Sequence, residues 1–294
     1  MADGADGPET PPRALGELID AGEAWLARRG VCDPRLQCEW LAASLFGCAR
    51  TALPLDRPPP GEIIAAMRAG IARLGSGEPV QYVVGDWDFR MLTLKTDSRA
   101  LIPRPETEEL VGLVLDEPRL WSARPGPVVC DVGTGTGAIA LSLAFERPEC
   151  SVVATDCDDA ALSLARENCE RLRLGGRVEF RHGRNCAGAA PASFDAIVSN
   201  PPYIPSAAVD ALPPLIRDHE PRMALDGGAD GLDIVRSLVP DAAMALKKGG
   251  FIFLEIGEDQ GAAVLRAMED GGFSETVILK DLNGFDRFAK GRIV

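Results

Sequence analysis

Histidine and tyrosine are scarce in this sequence, with two of each among 294 residues, and basic residues are outnumbered by acidic ones. The 31 lysines and arginines face 44 aspartates and glutamates, which gives a formal net charge of -13. Proteins that bind nucleic acid usually present a basic face to the phosphate backbone. We therefore expect no direct nucleic-acid partner.

Long apolar runs are also missing, since none approaches the roughly 20 residues that a helix needs to cross a bilayer. The opening MADGADGPETPP lacks the basic and apolar regions of a signal peptide, and its acidic residues argue against a transit peptide. We expect residues 1–12 to form a disordered tail, no membrane partner, and a cytoplasmic location.

The eight cysteines form no C-x-x-C pair, and the two histidines, His182 and His219, have no ligand spacing beside them. No metal site is therefore predicted, and His219 receives no catalytic role. We expect the cysteines to be reduced, buried thiols, as is usual in this compartment.

Three segments follow the tail. Residues 13–76 carry apolar side chains at helical spacing on either side of a break at PLDRPPPG, and they predict a small helical domain. Residues 77–105 show short alternating stretches with a turn at GDWD, which predicts a linking β-hairpin. Residues 106–294 alternate short apolar strands with helical stretches, which predicts an α/β domain with a mostly parallel sheet and helices on both faces.

The stretch CDVGTGTGAIA is the first chemical signal. A strand is expected to end at Asp131, and the loop Gly133, Thr134, Gly135, Thr136 and Gly137 allows a ligand to approach a helix N-terminus.

Asp156 closes the next predicted strand, where its carboxylate can accept hydrogen bonds from ribose hydroxyls. Alternatively the glycines only make a turn and Asp156 caps a helix. The spacing also fits a nicotinamide enzyme, so the loop alone does not identify the cofactor.

The stretch VSNPPYIP is the second signal, because a strand from Phe194 to Ser199 would deliver Asn200 to the sheet edge that carries the glycine loop. The Asn200 side-chain oxygen and the Pro201 carbonyl can each accept one hydrogen of a planar NH2 group, and Tyr203 can stack on that group. This arrangement suits methyl transfer from a sulfonium to nitrogen without a general base. A plain turn after the strand is the alternative.

These motifs, together with LIPRPETEELV and FLEIGEDQ, resemble the release-factor glutamine methyltransferases (PrmC or HemK), a Rossmann-like S-adenosylmethionine-dependent family. The resemblance covers nearly the whole chain. It implies S-adenosylmethionine on the loop Gly133 to Gly137 with its ribose on Asp156, and a contact from Asn200 to the cofactor. It implies a substrate glutamine held by Asn200, Pro201, Pro202 and Tyr203, within the Gly-Gly-Gln loop of class I peptide-chain release factors, with the helical domain helping to grip this partner.

The sequence departs from the family after the third strand, where Arg184 and Asn185 stand in place of an acidic residue and tryptophan near the adenine. We assign Asn185 as a cofactor contact. Arg104, Glu106 and Glu108 of RPETE fit either a family motif or a solvated helix start. DHEPR, Asp218 to Arg222, is interpreted as an exposed charged loop.

Two other functions stay open on the residues. NPPY is shared with adenine-N6 methyltransferases of DNA or RNA, which would need a basic target-reading surface. The altered adenine loop would suit a non-catalytic nucleotide-binding module.

Overall fold

The computed structural model describes residues 12–122 and 126–294. It divides into two compact units, Met1–Asp86 and Trp87–Val294. Residues 1–11 of the predicted tail, residues 1–12, lie outside the described residues. The division at 13–76, 77–105 and 106–294 stays a prediction. In the described ranges, no helix combines the length and the apolarity that crossing a membrane demands.

Helices build the first unit, and their packing depends on close approach at small residues. They are α1 (Leu15–Ala27), α2 (Pro34–Phe46), α3 (Gly61–Gly75) and α4 (Val80–Val84), with a 3-10 turn at Arg50–Ala52. A Cβ atom added to Gly22 of α1 would lie 2.7 Å from Ile71 Cδ1 and 2.9 Å from Cys38 Sγ. Contacts this short essentially never occur in folded proteins, so a larger residue at Gly22 would force the side chains of Ile71 and Cys38 to shift.

The turn predicted at GDWD is wrong. The residues VQYVV form α4 (Val80–Val84), which follows Pro79. Gly85 is the C-cap of this helix, and its φ of 82° suits that position. Strand β1 (Asp86–Phe89) and strand β2 (Leu92–Lys95) follow, so the chain turns at Arg90 and Met91. The Arg90 guanidinium is held by both carboxylate oxygens of Glu146, at 2.7 and 2.9 Å.

Within the described residues, the second unit is built around a seven-stranded sheet, whose strands lie in the order β5-β4-β3-β6-β7-β9-β8. Its strands are β3 (Val128–Val132), β4 (Ser151–Asp156), β5 (Val178–His182), β6 (Phe194–Ser199), β7 (Leu246–Glu255), β8 (Phe273–Lys280) and β9 (Asp286–Ile293). The five strands β5, β4, β3, β6 and β7 are parallel, and β9 and β8 run antiparallel at one edge.

Helices cover both faces of this sheet. They are α5 (Pro105–Leu115), α6 (Pro118–Trp121), α7 (Ala138–Glu146), α8 (Asp159–Arg171), α9 (Ser206–Val209), α10 (Pro214–Arg217), α11 (Asp233–Ala245) and α12 (Gly261–Asp270), with a 3-10 turn at Arg222–Ala224. Val129 faces a core shared with α5 and α7, whereas its neighbour Cys130 faces a core shared with α11 and α12. Successive strand residues point to opposite faces, so the predicted α/β class is confirmed.

The strand order reverses between β3 and β6. The chain runs from β3 outward through β4 and β5, then returns to β6 on the other side of β3. The connections after β3 and β6 therefore diverge to opposite sides and leave a crevice at the carboxyl ends of these strands. The glycine loop follows β3 and Asn200 follows β6, so this crevice receives both predicted motifs.

The expectation of buried cysteines is only partly correct. Five thiols are buried, Cys48 is half-buried, and Cys32 and Cys157 are exposed. Cys157 follows directly after the end of β4, where the chain leaves the sheet toward solvent.

Asn168 joins three parts of the second unit from a buried position on α8. Its Oδ1 accepts a hydrogen bond from the Lys95 backbone N–H at 2.7 Å, and its Nδ2 donates to the Lys95 carbonyl at 3.1 Å. The same Nδ2 donates to the Thr136 carbonyl at 2.9 Å. One amide side chain thus ties the end of the hairpin and the glycine loop to the same helix.

We predict that Asn168→Ala lowers the free energy of unfolding by about 2–4 kcal/mol, because it leaves several buried backbone groups unpaired, each costing about 1–3 kcal/mol before relaxation. Chemical denaturation checks this value. Glu170→Ala, an exposed change on the same helix, is the control and should have little effect. Equal stabilities of the two variants would show that Asn168 does not fasten these segments.

Candidate active site

The glycine loop has the backbone that its sequence predicts. Gly133, Gly135 and Gly137 have φ values of 73°, 56° and 86°, a region that favours glycine. The backbone N–H groups of Gly133 and Thr134 donate to the Thr155 carbonyl at 2.9 and 3.0 Å, which anchors the loop to β4. Gly137 then precedes the first turn of α7, so the loop ends at a helix N-terminus.

Asp131 supports this loop from the interior of the protein. Its Oδ2 accepts hydrogen bonds from Thr134 Oγ1 at 2.6 Å and from the Ala140 backbone N–H at 3.1 Å. Its Oδ1 is buried and has no hydrogen-bond partner within the described residues. Burial raises the pKa of Asp131 to about 7, because the ionised carboxylate loses its hydration.

Asp156 lies at the end of β4 and turns its carboxylate toward the same loop. Its Oδ2 accepts from the Gly135 backbone N–H and its Oδ1 from the Asp158 backbone N–H, each at 3.0 Å. Burial is the main cause that raises the pKa of Asp156, and these two hydrogen bonds oppose it. Each oxygen keeps a further lone pair, so the carboxylate can still accept hydrogen bonds from a ligand.

These elements border one cavity of about 330 Å³. Four of the five loop residues line it, as do Asp156, Asn185, Asn200, Pro201 and Pro202, whereas Gly137 and Tyr203 do not. A Cβ atom on Gly133 would meet no atom within 4 Å, so this glycine exposes its backbone to open space. A nucleoside-sized cofactor fits the open backbone at the helix N-terminus and the carboxylate of Asp156.

Asn200 follows β6 and is held by a residue that the sequence did not single out. Its Nδ2 donates a hydrogen bond at 3.0 Å to Thr107 Oγ1, on the first turn of α5. This bond leaves Asn200 Oδ1 without a donor among residues 12–122 and 126–294. The amide oxygen therefore remains available as an acceptor in the cavity.

Glu255, the last residue of β7, lies behind Thr107 and Tyr203. Its Oε2 accepts from Thr107 Oγ1 at 2.8 Å, and its Oε1 lies 3.5 Å from the Tyr203 hydroxyl, which donates to it. Burial raises the pKa of Tyr203 to about 12, and the nearby charge of Glu255 adds to this shift. Tyr203 is consequently held by Glu255, and neither residue lines the cavity.

The backbone of the NPPY stretch is supported from behind by a glycine-containing loop. Gln260 Nε2 donates to the Tyr203 carbonyl at 2.9 Å and to the Gly231 carbonyl at 3.2 Å. A Cβ atom on Gly231 would lie 2.2 Å from the Tyr203 carbonyl oxygen, and one on Gly227 would lie 2.6 Å from that of Pro202. These glycines let the loop pack directly against the motif.

DHEPR is only partly the exposed charged loop that we expected, since Asp218 and Arg222 are exposed. Glu220 is buried, and its Oε2 accepts from the Ile102 backbone N–H at 3.1 Å. Its Oε1 accepts from the Arg104 guanidinium. Burying this carboxylate requires such donors, and they connect DHEPR to the residues that precede α5. The start of α5 at Pro105 confirms the predicted helix entry, but Arg104 has a structural partner as well.

Asn185 lines the cavity, but its side chain is already engaged. Its Nδ2 donates to Asp241 Oδ2 at 2.7 Å and to the Ser237 carbonyl at 3.2 Å, both on α11. Its φ of 49° places it in the left-handed region, which asparagine tolerates better than most residues. Its role as a cofactor contact stays a prediction.

Comparison with known proteins gives consistent descriptions for both units. The family model described as "PrmC N-terminal domain" matches residues 17–85, and "Methyltransferase small domain" matches residues 119–228. A relative from Geobacter sulfurreducens named release factor glutamine methyltransferase is 39% identical, covering 94% of this chain and 96% of its own. One of the same name from Moorella thermoacetica is 43% identical, covering 94% and 95%.

The chain belongs to the family of release factor glutamine methyltransferases. The resemblance seen in the motifs is thereby confirmed.

A solved structure supports the fold of the second unit. The 16S rRNA N2 G1207 methyltransferase of T. thermophilus, in complex with AdoMet and guanosine, is 22% identical with a TM-score of 0.51. The match covers 71% of this chain and 50% of that one. This similarity confirms the methyltransferase fold that the sequence predicts for this chain.

Three buried residues of this methyltransferase site were not assigned from the sequence: Thr107, Glu220 and Glu255. Thr107 was read only as part of RPETE, and Glu220 only as part of a charged loop. Glu255 stood at the end of the apolar run FIFLE, where an acidic residue is an unusual continuation of a buried strand. The acidic residue at the end of FIFLE was the one signal in the sequence for a functional carboxylate.

We predict that Asp156→Ala weakens S-adenosylmethionine binding by about 10- to 150-fold, because a charged acceptor for the ribose hydroxyls contributes about 1.5–3 kcal/mol. Isothermal titration calorimetry measures this change. Asp159→Ala, three residues later and exposed, is the matched control. An unchanged affinity in Asp156→Ala would remove the ribose assignment.

Proposed function

We propose that this chain transfers a methyl group from S-adenosylmethionine to the side-chain nitrogen of the glutamine in the Gly-Gly-Gln loop of class I peptide-chain release factors. The names of its relatives support the substrate. The observation that carries the chemistry is the hydrogen bond from Asn200 Nδ2 to Thr107 Oγ1, since it directs the amide oxygen of Asn200 to the cavity. A cytoplasmic location accords with this substrate.

The residues around the glycine loop would hold the cofactor. Gly133 to Gly137 offer an open backbone at the start of α7, and Asp156 offers acceptors for a ribose. Asn200 borders the same cavity and would also contact the cofactor. S-adenosylmethionine, when bound, supplies an electrophilic methyl group on a positively charged sulfur.

The NPPY stretch would bind the substrate amide. Asn200 Oδ1 and the Pro201 carbonyl oxygen would each accept one hydrogen of the glutamine NH2 group, while Pro202 would shape the cavity surface and Tyr203 would support it from behind the lining. These two acceptors orient the nitrogen and stabilise the positive charge that develops on it. The electron-rich ring of Tyr203, whose hydroxyl donates to Glu255, would favour the same charge from behind the lining.

The bond changes balance without a base from the protein. With the cofactor bound on the glycine loop and Asp156, a nitrogen–carbon bond would form as the carbon–sulfur bond breaks, the electron pair of that bond would remain on sulfur, and the nitrogen would acquire the positive charge. An N-alkylated, protonated amide is acidic enough to lose its proton to water. The two acceptors therefore carry the catalytic contribution of this chain.

Asn200→Ala should lower the rate of methyl transfer to a release factor by about 10²- to 10³-fold, as does the loss of one preorganised electrostatic contact in other enzymes. Single-turnover kinetics at saturating cofactor measure this rate. Cofactor affinity should fall much less, because the glycine loop and Asp156 are unchanged.

Asn283→Ala, at an exposed turn residue, provides the control for loss of an asparagine side chain. Methylation of glutamine at a near-normal rate by Asn200→Ala would mean that NPPY is only a turn.

A further inference from the structure

The hydroxyl of Thr107 has one hydrogen, and the geometry shows where it goes. Thr107 Oγ1 lies 2.8 Å from Glu255 Oε2 and 3.0 Å from Asn200 Nδ2. An ionised carboxylate only accepts hydrogen bonds, so Thr107 must donate to Glu255. Its oxygen can then only accept from Asn200, which must present its NH2 group to Thr107.

The orientation of the Asn200 amide is therefore set by Glu255, which acts on it through Thr107. Turning the amide over would place Oδ1 against a hydroxyl oxygen that has no hydrogen left to donate. It would also direct the NH2 group at the substrate, where an acceptor is needed. A protonated Glu255 changes this logic, because its own proton can be donated to Thr107 Oγ1. The Thr107 hydrogen is then free to be donated to Asn200 Oδ1.

We propose that Thr107 and Glu255 are positioning residues that set which end of the Asn200 amide faces the substrate, and that protonation of Glu255 reverses it. This inference rests on the proposed function. We call the series Asn200, Thr107 and Glu255 the relay.

The surroundings of Glu255 make its protonation accessible. It is 1% exposed, and the burial raises its pKa to about 7, while the hydrogen bond from Thr107 and the charge of Arg287 oppose this rise. Glu106 on α5 adds to the rise, and the hydroxyl of Tyr203 opposes it. Glu255 is a carboxylate above this pKa, and the productive orientation of the Asn200 amide is then present. Both are lost as the pH falls through the pKa.

We expect Thr107→Val to lower kcat by about 10- to 100-fold at saturating release factor and cofactor, since misdirected catalytic groups cost up to about 10²-fold. Val has the shape of Thr but no hydroxyl. Thr107→Ser keeps the hydroxyl and should restore most of the lost rate. The affinity for S-adenosylmethionine should stay within about 3-fold, a difference of less than 1 kcal/mol.

Ser142→Ala is the matched control for removing a buried hydroxyl, because Ser142 Oγ has no hydrogen-bond partner within the described ranges. It should leave kcat unchanged. A Thr107→Val enzyme as fast as the wild type, or a Thr107→Ser enzyme as slow as Thr107→Val, would overturn the relay.

The pH profile separates a relay from a merely structural role. The wild-type rate at saturating cofactor should fall as the pH is lowered from 8 to 6, and Glu255→Gln should lack this decline whatever its absolute rate. An identical decline in both proteins would contradict a role for Glu255. This comparison also serves if Thr107→Val does not fold.

A measurement without substrate distinguishes failure of the relay from failure of the proposed function. In 15N-labelled protein, the side-chain NH2 resonances of Asn200 are identified by their loss in Asn200→Asp. They should shift between pH 8 and 6 in the wild type and not in Glu255→Gln. Resonances that do not respond to pH overturn the relay. A clear response in a protein that does not methylate release factor preserves the relay and rejects the proposed substrate.

Discussion

Burial of the Glu255 carboxylate at the end of β7 is the constraint from which the arrangement of the site follows. A buried acid needs donors, and the donors available here are the hydroxyls of Thr107 and Tyr203. Satisfying it brings the start of α5 and the NPPY stretch together at one sheet edge. Asn200 is then oriented by Thr107, so the structural requirement and the chemical requirement are met by the same bonds.

The same principle recurs on the cofactor side of the cavity. Asp131 is buried beneath the glycine loop, and its Oδ2 accepts hydrogen bonds from Thr134 and from the start of α7. Its Oδ1 has no hydrogen-bond partner within the described residues. Glu220 is satisfied by Arg104 and the Ile102 backbone, which brings the DHEPR residues to the entry of α5. Buried carboxylates thus fix three connecting segments that have little regular structure of their own.

The strands that build the site could be predicted because their signals are local. Phe194–Ser199 is an apolar run that ends at NPP, and Ser151–Asp156 ends at an acid, so both boundaries were visible in the sequence. The β-branched residues of VQYVV favour a strand, and for that reason the sequence predicts the hairpin turn directly after them, at GDWD. Pro79 and Gly85 instead cap a short helix, and the capping determined the structure. Thr107 was invisible for a different reason, since its partner Glu255 lies 148 residues away in the sequence.

Methylation of the nitrogen of a glutamine side chain is the reaction that we assign to this site. Its most direct test is to incubate the purified chain with S-adenosylmethionine and a class I release factor and to locate the modification by tandem mass spectrometry. The account predicts one methyl group on the side-chain amide of the glutamine in the Gly-Gly-Gln loop. A methyl group on another residue, or an unmodified release factor alongside methylated adenine in added DNA or RNA, would contradict it.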